Sequence, residues 1–309
     1  MTSLRTDLDH YLQLRRRLGH ELADAARLLP RYLDYLEQSE QTTITVANAV
    51  AWSQQPHAAP GSSVRARRMT AVRGFARYLS GIAPATEVPP LGLIVHQQHW
   101  RPPFIYTASD IAVLLEAAAA MPSRLRSATY STLFGLLVAT GLRVGEALTL
   151  DRSDIDWDRG MLLIRQSKFG KSRNVPVTPS TLDALHRYTL LRNQFRRLPG
   201  NDSFFVSLTG RRLIYVSVFD VFDNLRARTG LGATSTTTPR IHDLRHTFAV
   251  TVLLGWYHDG GDVAARLPWL STYLGHRDPR STYWYLSAAP QLLALAADRL
   301  ERFGWTVPS

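Results

Sequence analysis

The apolar positions of the chain keep two different periods, and the breaks between them divide it. Over residues 20–38, Leu22, Ala25, Ala26, Leu29, Leu33 and Leu36 recur at three- and four-residue intervals. That spacing lines one face of a helix. Similar stripes predict helices over 4–18, 45–54 and 63–80. Pro30 is expected to kink the second helix or split it in two, because proline lacks the N–H and crowds the preceding turn. "AAPGSS" (58–63) reads as a turn ending in a serine cap. From 81 to 103 the period stops. Five prolines fall in "GIAPATEVPPLGLIVHQQHWRPP", which reads as a linker.

Helical spacing resumes after "TASD" (107–110), a cap signal for a helix over 110–120. A long apolar helix over 124–139 should stop at Gly141, and a short one should begin near Arg143. "SDIDWDRGMLLIRQSKFGKSRNVPV" (153–177) has strand–turn–strand–turn–strand character, with turns at Asp158-Arg159-Gly160 and Phe169-Gly170. Further helices are expected over 180–196, 215–229, 242–256, 264–274 and 290–303. The predicted fold is therefore mainly α with a small antiparallel β-sheet. It divides into a helical domain over 1–88, a linker over 89–106 and an α+β domain over 107–309.

Composition narrows the partner. The chain holds 36 Lys and Arg against 25 Asp and Glu, a net charge of +11. Such an excess favours a polyanion, because basic groups that neutralise phosphates release condensed counterions. Arg65, Arg67, Arg68, Arg73 and Arg77 share the helix over 63–80 with no acid to balance them, and are candidate phosphate contacts. No run of about 18 apolar residues suggests a membrane span. The first residues lack the apolar core of a signal peptide, and a cytoplasmic protein is expected. The absence of cysteine excludes disulfides and thiolate metal sites. Only two of the 36 basic residues are lysine, Lys168 and Lys171, and both lie in "SKFGKSRNVPV".

Three short stretches carry candidate chemistry. In "TGLRVGEALTL", Arg143 and Glu146 are three apart and share a helix face. In "IHDLRHTFAV", His242 and Arg245 fall in the first turn of a helix whose later residues are apolar. A helix start is rigid, and its positive dipole end suits a phosphate. His242 and His246 also have metal-ligand spacing. The zinc-hydrolase pattern, however, sets a Glu beside the first His. Here Asp243 takes that place and the fixed charge of Arg245 opposes a dication. No metal is expected, and His246 reads as a structural neighbour. In "YLGH", His276 follows a helix ending at Gly275, and Tyr285 comes nine residues later. Tyr283 and Trp284 read as core aromatics.

Taken together, "TGLRVGEALTL", "SKFGKSRNVPV", "HDLRHTFA" and "LGH" with its later tyrosine resemble the signature blocks of the tyrosine recombinases, the phage-integrase and Xer-like enzymes. The resemblance runs over about residues 107–290. It implies that Arg143 and Arg245 are the catalytic arginines, with His242, His276 and the hairpin lysine Lys168 beside them, Glu146 in support, and Tyr285 as nucleophile. "RDPRSTYWYLSA" departs from the family's Thr-rich stretch and leaves Tyr283 as the alternative nucleophile.

The helices over 1–88 would be the family's core-binding domain, closing with the catalytic domain as a C-shaped clamp around duplex DNA. The implied activity is site-specific recombination, as in integration, excision, transposition or dimer resolution. It would run through a 3′-phosphotyrosine with no metal, cofactor or ATP. Implied partners are double-stranded DNA, further copies of the chain (dimers assembling to tetramers) and accessory recombination proteins. Two other readings are a type IB topoisomerase-like relaxation and a non-catalytic DNA-binding protein of the same fold.

The residue types suit that chemistry. Without a dication, charge developing on the non-bridging phosphate oxygens needs fixed donors, and two arginines can clamp them bidentately. Tyrosine titrates near 10 and benefits from a base, for which His242 is the candidate. The 5′-oxygen leaving group needs an acid. Arginine does not release its proton, so Lys168 is the candidate. Lys171 would contact phosphate at the hairpin tip.

Overall fold

The computed structural model describes residues 4–55, 63–94, 102–167, 171–195, 201–276, 278, 280–288, 292 and 294. Two compact units divide the chain, Met1–Trp100 and Arg101–Ser309.

The first unit is helical: α1 (Leu4–Arg17), α2 (Ala23–Gln38), α3 (Val46–Ser53) and α4 (Ser63–Leu79). Its core gathers Leu8, Leu29, Tyr32, Leu33, Leu36, Trp52, Val72 and Phe75. Of the kink or split expected at Pro30, the split does not occur: α2 runs as one helix through it. An interior proline costs roughly 3 kcal/mol. Leu29, Leu33 and Leu36, all fully buried, contribute about 1.5–3 kcal/mol each and hold the helix together. Thr45 caps α3 through a reciprocal pair of hydrogen bonds with Asn48.

Residues 81–94, expected as part of a linker, are built into this unit. The Glu87 N–H donates to the Ile44 carbonyl at 2.9 Å, and its carboxylate accepts from the Val46 N–H at 2.7 Å. Val88 and Ile94 pack on the core. Prolines remove donors but keep their carbonyls, and Arg73 uses those of Pro89 and Pro90, each at 2.8 Å.

The second unit opens with α5 (Ala108–Ala119), α6 (Arg124–Thr140) and α7 (Val144–Thr149). A three-stranded antiparallel sheet follows: β1 (Ile155–Asp156), β2 (Met161–Ser167) and β3 (Lys171–Pro176), in the order β1-β2-β3. Leu162 faces Val175, and Ile164 faces Arg173. Then come α8 (Pro179–Asn193), α9 (Tyr215–Thr229), α10 (Asp243–His258), α11 (Val263–Leu274) and α12 (Arg280–Ala288). The mainly helical architecture with one small sheet agrees with the sequence reading.

Two features differ from that reading or lie beyond it. α12, which carries Tyr285, was not among the expected helices; its "RSTYWYLSA" stretch is only nine residues long and rich in aromatics. The expected helix over 290–303 and the turns at 58–63 and Phe169-Gly170 lie outside the described residues, apart from Ser63, Leu292 and Ala294.

Two apolar clusters fill this unit. One joins α5–α9 and the sheet. The other joins α10, α11 and α12 around Leu253, Leu270, Leu274 and Tyr285. The chain before α5 is tied to α10: the Tyr106 N–H donates to Thr247 Oγ1 at 3.0 Å, and its hydroxyl to the Arg240 carbonyl at 2.9 Å.

Candidate active site

Two helix ends and one helix start converge on the site. α6 stops at Gly141, which adopts φ +61°. Glycine suits that left-handed conformation. It is required here for a second reason: a Cβ would stand 2.5 Å from the Phe248 ring of α10. α11 stops the same way at Gly275, φ +66°. α10 begins at His242, its N-cap. The buried Asp243 pins that start by accepting from the Arg240 N–H and guanidinium.

The last carbonyls of a helix lack intrahelical partners and carry its negative dipole end. At the end of α11 three arginines take them. Arg173 Nε donates to the Tyr273 carbonyl at 2.8 Å, Arg245 Nη2 to Leu274 at 2.6 Å, and Arg143 Nη2 to Gly275 at 3.3 Å. Arg245 also donates to the Gly141 carbonyl at 2.7 Å, so it bridges the ends of α6 and α11. Its side chain is buried, and this burial, with the charge of Arg143, lowers it to about 10. It therefore stays protonated.

Glu146 is the one carboxylate in this cluster among the described residues. It accepts from Arg143 Nη1 at 2.8 Å, and from Arg173 Nη1 and Nη2 at 3.0 and 2.9 Å. Burial alone would raise its carboxyl. The hydrogen bonds from Arg173 and from the Arg143 N–H, with both charges, outweigh burial and hold it at about 2.

Tyr285 lies against this cluster. It is 2% exposed, whereas Tyr283 is 51% exposed. The Tyr285 ring stacks with that of His276, centroids 6.2 Å apart, and its hydroxyl stands 3.3 Å from His246 Nδ1. Burial raises the phenol, against the nearby charges of Arg245 and Arg143. His276 Nδ1 is 2.7 Å from the hydroxyl of Thr282, which is fully buried. That contact fixes the ring and leaves Nε2 for other work. Burial, then the charges of Arg245, Arg143 and Arg173, push His276 down to about 4. His242 is open to solvent on one side, and its ring meets His246 edge-on at 4.9 Å. Burial of its other side and the Arg245 charge lower it.

The structure thus brings together Arg143, Glu146, Arg245, His276 and Tyr285, with His242 at the rim beside His246. Lys168 lies outside the described residues. Lys171 opens β3, and only its backbone is described.

The five arginines of α4 belong to the first unit. Arg67 pairs with Asp24. Arg68 lies over the Trp52 ring at 5.4 Å and donates to main-chain carbonyls of Trp52, Ser53 and Gln55. Arg73 is held by Pro89 and Pro90. Arg65 is half-buried and Arg77 exposed.

Three residues of the cluster escaped sequence reasoning as site residues: Arg173, Thr282 and His246. A signal existed for the first. Side chains two apart on a strand share a face, so Arg173 points the same way as Val175, which is fully buried. An arginine on a core-facing position asks for a buried acceptor, which is Glu146.

Residues 105–291 match the model of the phage integrase family. The integrase/recombinase y4rB of Sinorhizobium fredii is 41% identical over 98% of this chain and 98% of its own length. The tyrosine recombinase XerC of Actinobacillus pleuropneumoniae is 29% identical over 93% of this chain and 90% of its own. Among solved structures, the Tn1549 transposon integrase in complex with circular intermediate DNA aligns over 96% of this chain and 99% of its own, with TM-score 0.66 and 16% identity. A lambda integrase dimer bound to a COC′ core site aligns over 92% and 77%, with TM-score 0.62 and 18% identity. The chain belongs to the phage integrase family. Its activity is that of a tyrosine-type site-specific recombinase acting on DNA. No helix among the described residues is long and apolar enough to cross a membrane.

Proposed function

We propose that Tyr285 attacks the scissile phosphodiester and becomes a 3′-phosphotyrosine, while Arg143, Arg245 and His276 hold the phosphate oxygens. The observation that carries this reading is the burial of the Tyr285 hydroxyl against His246, beside two anchored arginines. An arginine has five donors in a fixed fork. Arg245 gives two to carbonyls, which leaves others for a phosphate. Donors fixed in advance need no reorganisation as charge develops, and losing one costs about 2.7–4 kcal/mol of barrier in comparable oxyanion sites. Glu146 acts on the reaction through Arg143. Lys168 protonates the 5′-oxygen as it leaves. His242 lines the rim towards the DNA. The phosphotyrosine keeps the energy of the broken bond, so rejoining needs no ATP, and in this reading the arginines take the place of a metal.

The partner in this reading is double-stranded DNA, bound by copies of the chain as dimers that assemble to tetramers. The lambda integrase dimer on its core site supports this by fold likeness. The helices of residues 1–88 serve as the core-binding part, 107–309 as the catalytic part, and Lys171 and the α4 arginines supply phosphate contacts. Arg67 leaves Asp24 at little cost, since an exposed pair is worth about 0–1 kcal/mol. In this reading the protein works in the cytoplasm.

A nicked suicide substrate tests the assignment. Tyr285→Phe should abolish the covalent adduct and leave DNA affinity nearly unchanged, because only the attacking oxygen is lost. Adducts that persist in Tyr285→Phe and vanish in Tyr283→Phe would move the nucleophile to Tyr283.

A further inference from the structure

Among the described residues, the side-chain hydrogen-bond partner of the Tyr285 hydroxyl is His246 Nδ1, at 3.3 Å. A phenol has one proton to give, and a guanidinium, such as that of the nearby Arg245, only donates. Of the two neighbours, only a neutral His246 ring with Nδ1 unprotonated can accept the tyrosine proton, and in that tautomer the contact aims the hydroxyl at His246. The ring is held for this task. Tyr285, Trp284 and His242 surround it with centroids at 5.5, 5.3 and 4.9 Å. One helical turn separates His242 from His246, and His242 takes the outer, solvent-facing place.

We propose that His246 is a catalytic residue, the group that aims the Tyr285 hydroxyl and receives its proton during cleavage. This rests on Tyr285 being the nucleophile. The Tyr285 Oη–phosphorus bond forms as the phosphorus–O5′ bond breaks. The phenolic proton passes to His246 Nδ1, and the departing 5′-oxygen takes a proton from Lys168. In rejoining, the steps reverse: the 5′-hydroxyl attacks and His246 returns its proton to the phenolate.

Electrostatics supports the same role. Burial, then the charges of His242, Arg240 and Arg245, push His246 down to about 3, so it rests unprotonated. A phosphodiester held by Arg143 and Arg245 brings opposing charge into that field and raises the ring's affinity for a proton. The acceptor is thus weak in the free protein and stronger once DNA is seated.

The test uses the full chain and a nicked suicide duplex at saturating DNA. General acid–base groups contribute roughly 10²–10⁴-fold. His246→Phe, which keeps the bulk and loses the acceptor, should slow single-turnover adduct formation about 100-fold or more, with DNA affinity within about twofold. His246→Asn keeps an acceptor that cannot take up a proton, and should be slowed less. Fluorotyrosine at position 285 ionises more readily and should recover part of the rate in both variants. A 5′-bridging sulfur, which repairs loss of the leaving-group acid, should not. Cleavage at the wild-type rate in either variant, or slowing that fluorotyrosine leaves untouched, overturns the proposal. Mapping the wild-type adduct by peptide sequencing separates the two readings: a phosphotyrosine elsewhere refutes Tyr285 as nucleophile, whatever His246 does.

Discussion

The arginines of α4 and those of the catalytic cluster look alike in the sequence, yet they answer to different surroundings. On α4, Arg67 meets a carboxylate that is half open to solvent. In the catalytic cluster, Arg143 and Arg173 share a carboxylate that is 5% exposed, and with Arg245 they occupy the carbonyls at the end of α11. The same guanidinium is an exchangeable surface cation in one place and a fixed part of a binding cradle in the other. What decides is whether the partner is buried. A buried partner cannot turn to water instead, so the geometry is held.

Breaking the buried side of this comparison should have the largest effect. Glu146→Ala leaves two guanidiniums without their carboxylate, and removal of one partner of a buried pair costs about 3–5 kcal/mol. Urea unfolding of the variant should show that loss, with adduct formation falling as Arg143 loses its anchor. A stability within 1 kcal/mol of wild type would mean that the arginines re-pair with solvent.

Acid should weaken the same region by a smaller amount. His246 and His276 sit at about 3 and about 4 in the folded chain, below the ordinary 6.5. Between about pH 6.5 and pH 4 the unfolded chain therefore binds more protons than the folded one. Stability is full above 6.5 and declines as pH falls. From pH 7 to pH 5 the two rings together contribute a loss on the order of 2–4 kcal/mol. The urea midpoint measured at both values checks this, and a midpoint that rises at pH 5 contradicts it.

The surface side should respond least. Arg67→Ala removes an exposed pair and should change stability by no more than about 1 kcal/mol. Arg77→Ala should leave folding untouched. If Arg77 touches a phosphate, the slope of log affinity against log salt should shrink by about 0.9. An unchanged slope would place Arg77 away from the DNA.

Much of this was legible in the chain. The helical stripes gave most helices to within a few residues, and Gly141 and Gly275 mark helix ends as glycines in left-handed caps do. The four sequence blocks point to Arg143, His242, Arg245, His276 and Tyr285 by their order and spacing. What stayed hidden depends on tertiary neighbours. Pro30 reads as a helix breaker, and only the depth at which its neighbours are buried shows why α2 survives it. The proline-rich stretch after α4 has no period of its own, because it is held by Ile44, Val46 and Arg73 rather than by its own spacing. Thr282 and His246 are ordinary in sequence, and they become part of the site because α12 folds back onto α10.

The three arginines at the end of α11 hold main-chain oxygens, which every residue type supplies. A replacement at Tyr273 or Leu274 that still fills the core therefore keeps the acceptors, while a change in the number of residues before Gly275 moves all of them together, and His276 with them. The identity of these side chains matters to the core they pack in, whereas the register of the turn matters to the site. Gly275 guards that register, since a Cβ there would press within 2.9 Å of the Arg173 guanidinium in a backbone conformation that other residues resist.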